Sequence, residues 1–554
     1  MNPTENQYTI GLDYGTNSVR ALIVSTRDGS EAGSATWNYA HGENGILLSR
    51  DPNLARQHPA DYLEGARQTI VAALEQAKAV EGFSPSQVVG IGVDTTGSTP
   101  LPVDKEGMPL AFKSEFEGNM NALAWLWKDH TSVREAEEIT LRASQERPQF
   151  LDKCGGTYSS EWYWSKIWHC LRVDEAVFDA AYGWVECADW IPTMLAGKPD
   201  PGTMTVGVCA AGHKAMWNAN WGGFPDAEFL SSLDPKLAAL RGRLSPNVRS
   251  VDEAVGGLSE EWAQKTGLLA GIPVAVGAFD AHLGGIGAGI REGTLVKTLG
   301  TSTCDLMVVP QSEQLADIPG LCGIVPGSIL PGFYGLEAGQ SAVGDIFNWF
   351  VSVLNEGSHI ELTEAAGKLK AGESGLLALD WNNGNRTILV DQELTGLLLG
   401  QTLYTKPGEI YRALIEATAF GALTIINRLE EYGVTVERVV NCGGIAEKNA
   451  VLMQIYADII GRPLYVSRSS QTCALGAAIA AAVASKQFDS FDAAQSAMTG
   501  LKDVVYTPDE AEHATYKRLF ALYSQVHDAF GTRGESNLFN VMKDLIQIRR
   551  EVRA

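Results

Sequence analysis

The segment AVGAFDAHLGGIGAGIREGTLVKTLGTSTCDLMVV, residues 275–309, decides the fold. It places an acid, Asp280, after a short apolar strand and follows it with a glycine-rich helix. A second apolar strand then breaks at Gly300-Thr301-Ser302 and resumes as a third. A strand, a tight turn of small residues and another strand predict a β-hairpin. The backbone N–H groups and hydroxyls of such a turn can surround a phosphate.

A second hairpin of the same kind is predicted near the N-terminus. A strand over residues 8–12 leads into Asp13-Tyr14-Gly15-Thr16-Asn17-Ser18, and an apolar strand follows over residues 19–25. The next predicted elements are a strand over 35–39, a helix over 59–79 and a buried strand over 88–94. Strand, hairpin, strand, helix and strand is the order of a ribonuclease-H-like half.

The second half repeats this plan after its own hairpin. Its predicted elements are a strand over 333–336, helices over 341–354 and 410–432, a strand over 436–441, a helix over 449–460, a strand over 464–466 and an alanine-rich helix from Cys473. The sequence therefore predicts an α/β protein with two ribonuclease-H-like domains that flank an interdomain cleft.

The length of 554 residues exceeds what one core supports, so at least two domains are expected. We predict an N-terminal domain over 1–285, a C-terminal domain over 286–500 and a helical tail over 501–554, with the glycines of 284–289 as a hinge. In the tail, Thr507, Pro508 and Glu510 form a capping box that predicts a helix start. Residues 537–554 have the pattern of a further amphipathic helix.

Composition disfavours several classes of function. The net charge of −23 leaves no basic field for nucleic acid or an anionic membrane. The 8 cysteines contain no C-x-x-C pair, which indicates reduced thiols and argues against zinc. The N-terminus has no signal-peptide pattern, and the apolar run 474–484 is shorter than the ~20 residues that cross a bilayer. We therefore expect a cytoplasmic protein without nucleic-acid or membrane partners.

Residues 119–220 are rich in tryptophan, with YSSEWYWSKIW at their centre. Aromatic rings can form the wall of a sugar site, because the apolar face of a carbohydrate stacks on them. The alternative is core packing of an inserted segment, which is the better interpretation of any single tryptophan. We keep the region as a predicted substrate wall and assign no individual residue to it.

The candidate site residues match the needs of phosphoryl transfer from ATP to a hydroxyl, namely a phosphate cradle, magnesium, a base and a closing cleft. The two hairpin turns supply the cradles, and Arg20 could add positive charge. Asp13, at a strand end, is placed to hold hydrated magnesium. Asp280 is the candidate base. Either acid alone could cap a turn, but their repetition beside matched hairpins favours the functional interpretation.

Other interpretations of these motifs are weaker. The run GGIGAG at 284–289 lacks the G-x-G-x-x-G register and follows a turn rather than a strand, so it does not favour a dinucleotide site. The sequence has no Walker A motif. His213 and His282 are each expected to satisfy a hydrogen bond in the core rather than to bind a metal.

With these residues in place, the chain resembles the FGGY carbohydrate kinase family, in the superfamily of actin, hexokinase and the heat-shock-chaperone ATPases. The resemblance covers residues 8–531 and implies an actin- and hexokinase-type fold, with ATP and Mg²⁺ as cofactors. The runs that carry it are Asp13-Tyr14-Gly15-Thr16, Gly92-Val93-Asp94, Gly277-Ala278-Phe279-Asp280-Ala281-His282, Gly300-Thr301-Ser302, EIYRALIEATAFG at 409–421, Gly443-Gly444 and CALGAA at 473–478.

Within the family, DTTGST at 94–99, TVGVCAAGHKAMW at 205–217 and YGLEAGQSAVGD at 334–345 resemble the members that phosphorylate L-ribulose at its terminal hydroxyl in L-arabinose catabolism. This resemblance implies four sugar-site residues: Ser98, Lys214, Asp280 as the base, and Glu337. It also implies that the adenine nucleoside lies against Gly443, Gly444 and Asn449. A lysine and a glutamate among small residues suit a polyol, because opposite charges can hold neighbouring hydroxyls. The alternative interpretation of Lys214 and Glu337 is an ion pair at the surface.

Two other functions stay open at this point. One is another FGGY kinase, for D-ribulose, xylulose or a pentitol such as ribitol. The other is a nonenzymatic nucleotide-switch protein, such as an actin-like filament or a chaperone ATPase domain, although a chaperone would need a further β-rich peptide-binding domain. The expected partners are a small-molecule sugar and ATP, and a homodimer is a candidate assembly.

Overall fold

The computed structural model describes residues 6–354, 357–534, 538–540 and 542–544. The strands of the first half are β1 (Tyr8–Tyr14), β2 (Ser18–Ser25), β3 (Glu31–Asn38), β4 (Arg56–Gln57), β5 (Val88–Thr95), β6 (Pro100–Val103), β7 (Ala124–Trp125), β8 (Gly183–Glu186), β9 (Val206–Gly207), β10 (Val248–Arg249), β11 (Ala254–Gly257), β12 (Pro273–Ala275) and β13 (Ala278–Phe279). Its helices are α1 (Pro59–Ala77), α2 (Val133–Glu146), α3 (Gln149–Asp152), α4 (Tyr163–Val173), α5 (Glu175–Ala180), α6 (Cys187–Leu195), α7 (Val208–Lys214), α8 (Ala227–Leu233), α9 (Pro235–Arg241), α10 (Glu260–Thr266) and α11 (Asp280–Gly287).

The second half follows directly in the chain. Its strands are β14 (Thr294–Leu299), β15 (Thr303–Pro310), β16 (Gly323–Pro326), β17 (Phe333–Ala338), β18 (Leu377–Leu379), β19 (Leu397–Leu399), β20 (Arg438–Cys442), β21 (Leu464–Ser467) and β22 (Leu501–Tyr506). Its helices are α12 (Gly344–Leu354), α13 (His359–Gly367), α14 (Pro407–Glu431), α15 (Gly444–Lys448), α16 (Ala450–Ile460), α17 (Thr472–Ala484), α18 (Phe491–Met498) and α19 (Glu510–Gly531).

Each half is built, in its described residues, on one mixed sheet of seven strands. The first sheet has the order β11-β12-β5-β1-β2-β3, with β13 also paired to β5, and the second has the order β16-β17-β15-β14-β20-β21-β22. In both sheets an antiparallel hairpin, β1–β2 or β14–β15, lies beside a parallel strand, β5 or β20. The two predicted hairpins and the two-domain α/β fold are therefore confirmed.

Helices α11 and α17 lie between the two sheets and pack closely against each other. A Cβ on Gly287 would lie 2.0 Å from the carbonyl oxygen of Thr472, and one on Gly476 would lie 1.7 Å from that of Leu283. Only glycine allows the two backbones to approach in this way. Two of the four glycines predicted as a hinge, Gly284 and Gly287, thus belong to a helix contact, and a hinge motion there stays a prediction.

The tail differs from its predicted form. Residues 501–506 are a strand of the second sheet, where β22 pairs with β21, so the segment does not begin as a helical tail. The capping box at Thr507 is wrong, because α19 begins at Glu510. Asp509 is the cap, and its carboxylate accepts hydrogen bonds from the N–H groups of Ala511 and Glu512. The helix predicted over 537–554 lies mostly outside the described residues.

The tryptophan-rich region forms a core of its own. Trp125, Trp164 and Trp184 belong to it and are each at most 2% exposed, whereas Trp190, also buried, packs in the core of the first sheet. Core packing is therefore the correct interpretation of these residues, and the predicted substrate wall is wrong for them. Trp127 is half-buried, and its indole N–H donates to the hydroxyl of Thr16 at 3.0 Å. No helix in the described part of the chain is long and apolar enough to cross a membrane.

Candidate active site

Three aspartates meet at one edge of the first sheet. Asp13 lies near the end of β1, in register with Asp94 of the parallel strand β5. Asp280 directly follows β13, whose residue Ala278 is also in register with Asp94. Asp94 is fully buried, and its side chain has no hydrogen-bond partner among the described residues except the neighbouring carboxyl group of Asp13. The sheet therefore collects three carboxylates in one place.

The three carboxylates change each other's ionisation. Burial, followed by the charge of Asp13, raises the pKa of Asp280 to about 7. Burial and the carboxylates of Asp13 and Asp280 raise the pKa of Asp94 well above its ordinary value. Burial also raises the pKa of Asp13, although Arg20 opposes it from 3.4 Å. A divalent cation would relieve this repulsion, and a carboxylate with a pKa near neutrality suits a general base.

The two hairpin turns carry free backbone donors, as the sequence predicts. The N–H of Gly15 donates to the carbonyl of Ser18 at 2.9 Å, and that of Gly300 donates to Ser302 at 3.0 Å, which closes each turn. The N–H groups at the tips, those of Thr16, Asn17 and Thr301, make no hydrogen bond within the described chain. Such outward N–H groups form a concavity for an anion.

A helix N-terminus adds to the same region. Helix α17 begins at Thr472, and burial followed by the charges of Asp13, Asp94 and Asp280 raises the pKa of the Cys473 thiol. The first turn of α17 therefore lies beside the three aspartates. Helix N-termini attract phosphate groups through their free N–H groups and dipole.

Lys214 and Glu337 form a buried ion pair, although 123 positions separate them in the chain. The ammonium of Lys214, at the end of α7, lies 3.1 and 3.2 Å from the two carboxylate oxygens of Glu337 in β17. The residues are 5% and 6% exposed. Burial alone would raise the pKa of Glu337, but the charge of Lys214 outweighs it and holds the pKa well below its ordinary value. The surface ion pair considered above is therefore wrong.

Two histidines surround the same carboxylate. His213 Nδ1 is 3.3 Å and His282 Nε2 is 3.6 Å from Oε2 of Glu337. These three side chains are close enough to bind one metal ion together. The ammonium of Lys214 already supplies the positive charge facing Glu337, so we interpret the cluster as a polar pocket. The predicted core hydrogen bond is confirmed for His213, which contacts the hydroxyl of Ser328 at 2.9 Å, and is wrong for His282.

The side chain of Ser98, the remaining predicted sugar residue, already makes a hydrogen bond within the protein. Its hydroxyl donates to the carboxylate of Glu186, which also accepts from the N–H of Thr99 at 2.8 Å. Lys166 donates to the carbonyl of Ser98 at 2.8 Å. The side chain of Ser98 thus supports the loop after β5, and its contact with a sugar stays a prediction.

The predicted nucleoside residues lie together around α15. Gly443, with φ of 91°, precedes the helix, and Gly444 is its exposed first residue. Asn449 follows it and caps α16, because its side-chain oxygen accepts from the N–H of Leu452 at 2.9 Å. Asn449 therefore has a structural role, and the nucleoside contacts of all three residues stay predictions.

The structure adds functional candidates that the sequence interpretation missed. Asp94, Glu186 and His282 are buried polar residues within the site. The signal for Asp94 was present, because it ends a buried strand as Asp13 does. Glu186 had no local signal, since its partners lie 87 and 88 positions away.

Comparison with known proteins identifies the family of this chain. The models of the FGGY family of carbohydrate kinases match residues 8–287 with the N-terminal domain and residues 295–485 with the C-terminal domain. The chain belongs to the FGGY family, and it is a carbohydrate kinase.

Two relatives that match nearly the whole chain are named ribulokinase. A ribulokinase of Vibrio parahaemolyticus is 42% identical over 550 residues, which cover 94% of this chain and 96% of that protein. A ribulokinase of Shouchella clausii is 41% identical over 97% of this chain and 98% of that protein. The crystal structure of xylulose kinase from Rhodospirillum rubrum has the same two-domain fold, with a TM-score of 0.78 and 24% identity over 95% of this chain and 99% of that one.

Proposed function

We propose that this kinase transfers the γ-phosphate of ATP to the terminal hydroxyl of L-ribulose and forms L-ribulose 5-phosphate in L-arabinose catabolism. The observation that carries the proposal is the buried Lys214–Glu337 pair, whose charges both act on the pKa of Asp280. Such a pair can hold neighbouring hydroxyls of a sugar while Asp280 faces the reacting one. Full-length relatives named ribulokinase support the choice of sugar.

Each step of the proposed reaction is assigned to one of these groups. The carboxylate of Asp280 accepts the proton of the sugar hydroxyl as its oxygen attacks the γ-phosphorus, and ADP leaves. The free N–H groups of Thr16, Asn17 and Thr301 hydrogen-bond phosphate oxygens, and Arg20 adds positive charge. The adenine nucleoside lies against Gly443, Gly444 and Asn449. The closed cleft excludes water, which would otherwise accept the phosphate.

The aspartates fit a magnesium ion. Mg²⁺ prefers carboxylate oxygens together with phosphate oxygens and water. The side chain of Asp94 has no hydrogen-bond partner in the described structure except the carboxyl group of Asp13 beside it. Asp13, supported by Asp94, would hold Mg²⁺, which would neutralise charge on the transferred phosphate.

Asp13→Asn and Asp94→Asn are each expected to weaken Mn²⁺ binding by about 10- to 100-fold, because each replaces a carboxyl group of the metal site, which can ionise when the metal binds, with an amide, which cannot. Binding is measured by the electron paramagnetic resonance signal of free Mn²⁺ in the presence of ADP. Asp503→Asn, an exposed change in β22, is the control and should leave affinity unchanged. Wild-type affinity in Asp13→Asn would remove Asp13 as the metal ligand.

The function itself is tested by coupled ADP release with ATP and Mg²⁺ across L-ribulose, D-ribulose, D-xylulose, ribitol and glycerol. We expect the highest kcat/KM with L-ribulose. A preference for another of these acceptors would assign the chain to a different FGGY kinase, and no stimulation by any of them would contradict the proposal.

We also propose a cytoplasmic location, where ATP is supplied, and a homodimer, which analytical ultracentrifugation tests.

A further inference from the structure

Two buried histidines beside the Lys214–Glu337 pair have unpaired ring nitrogens. The atoms are Nδ1 of His213 and both nitrogens of His282, none of which has a hydrogen-bond partner among the residues that the structure describes. The two residues are 1% and 2% exposed, and their ring centroids are 4.5 Å apart. Buried polar atoms in folded proteins are nearly always paired. Three unpaired nitrogens in one cluster therefore indicate a missing polar partner.

Both imidazoles are neutral in this environment. Burial, and then the neighbouring ring of His282, lowers the pKa of His213 well below its ordinary value, and burial lowers the pKa of His282 to about 4. A neutral imidazole has one N–H donor and one acceptor nitrogen. The hydroxyl of Ser328 donates to the carbonyl of Val325 at 3.1 Å, so its contact with Nε2 of His213 requires the proton on that nitrogen. Nδ1 of His213 is then an acceptor.

This assignment leaves two acceptors facing each other. Nδ1 of His213 lies 3.3 Å from the carboxylate oxygen Oε2 of Glu337. Nε2 of His282 lies 3.6 Å from the same oxygen, which is too long for a hydrogen bond. A hydroxyl can donate to the carboxylate and accept from an imidazole N–H at the same time. The geometry of the cluster therefore suits a hydroxyl group.

The cluster also lies beside the candidate base. His282 is in the first turn of α11, two residues after Asp280. The rings of Phe279 and His282 are 6.0 Å apart, and Lys214 and Glu337 both influence the pKa of Asp280. One small polyol could therefore contact Asp280 through one hydroxyl and the histidine cluster through another.

We propose that His282 is a further sugar-binding residue, whose imidazole hydrogen-bonds a hydroxyl of the ketopentose that Glu337 also contacts. The inference rests on the proposed function, because it needs a ketopentose beside Asp280. Buried polar groups that are left unpaired make a site reject an analogue without the matching hydroxyl. His282 would therefore help to determine specificity.

The test compares kcat/KM for L-ribulose and its 1-deoxy, 3-deoxy and 4-deoxy analogues in the wild type and in His282→Phe. Phenylalanine keeps a planar ring and removes both nitrogens. We expect the wild type to reject one analogue by about 10²- to 10⁴-fold relative to L-ribulose. His282→Phe should lose activity with L-ribulose. Its kcat/KM values for that analogue and for L-ribulose should be nearly equal, because the hydroxyl no longer has its hydrogen-bond partner.

His527→Phe is the matched control. His527 is also a buried histidine with an unpaired nitrogen, Nε2, but it lies in α19 of the second domain, so its change should not alter discrimination. Thermal unfolding should show that His282→Phe is at least as stable as the wild type, since it removes unpaired polar atoms. If His282→Phe lost kcat/KM equally with L-ribulose and with all three analogues, the inference about His282 would be overturned and the proposed function would stand. No wild-type turnover of L-ribulose would overturn the proposed function, and the inference with it.

Discussion

Asp280→Asn is expected to lower kcat by about 10²- to 10⁴-fold, because asparagine cannot accept the proton of the sugar hydroxyl. The fold should be retained, since the side-chain oxygen that accepts the N–H of Ala281 at 2.6 Å is present in both residues. Steady-state kinetics with saturating ATP and L-ribulose measure the loss. Asp503→Asn, at an exposed position, should keep wild-type turnover. Turnover close to wild type in Asp280→Asn would remove Asp280 from its role as base.

The same change should stabilise the protein above neutral pH. Burial and Asp13 raise the pKa of Asp280 from 3.8 to about 7, so the folded state disfavours the ionised carboxylate. The contribution of Asp280 to stability is therefore lost as the pH rises from about 4 to about 7. Asparagine has no charge to bury. We expect the difference in unfolding midpoint, variant minus wild type, to be larger at pH 8 than at pH 4, and an unchanged difference would contradict the assigned pKa.

Lys214→Met is expected to reduce the free energy of unfolding by about 3 to 5 kcal/mol, because it leaves the buried charge of Glu337 without its ammonium partner. It should also raise KM for the sugar, since Lys214 is a proposed hydroxyl contact. Urea unfolding and steady-state kinetics measure the two effects. Arg412→Met is a control for stability alone, because Arg412 and Glu416 form a buried pair in α14, with a distance of 2.8 Å, and have no proposed sugar contact.

A double variant separates folding from sugar binding. In Lys214→Met/Glu337→Gln no buried charge is left unpaired, so most of the lost stability should return. The contacts with the sugar remain absent, so KM should stay high. A double variant with wild-type KM would show that the pair only stabilises the fold and would remove Lys214 and Glu337 from the sugar site.

Local sequence patterns predicted those parts of the site that short segments build. Asp13, Asp280 and the two hairpin turns each follow from an apolar strand that ends in an acid or in small turn residues. The order of elements then placed both hairpins in equivalent positions of two sheets. These features need no knowledge of distant contacts, and the structure contains all of them.

The features that the sequence left undecided depend on tertiary contacts. Lys214 and Glu337 meet across 123 positions, and only the family resemblance paired them. The sequence predicted that the helix begins after Thr507, whereas β22 extends to Tyr506 and the cap of α19 is Asp509. Aromatic enrichment in 119–220 could not distinguish a core from a sugar wall. The unpaired nitrogens of His282 appear only when its neighbours are known.

Identification of the product tests most directly whether the γ-phosphate of ATP passes to the terminal hydroxyl of L-ribulose. The purified chain is incubated with ATP, Mg²⁺ and L-ribulose, and the product is examined by phosphorus and carbon nuclear magnetic resonance. We predict one phosphate monoester on C5 and one ADP for each sugar consumed. Release of ADP and inorganic phosphate without a sugar ester, or phosphate on another carbon, would contradict the account.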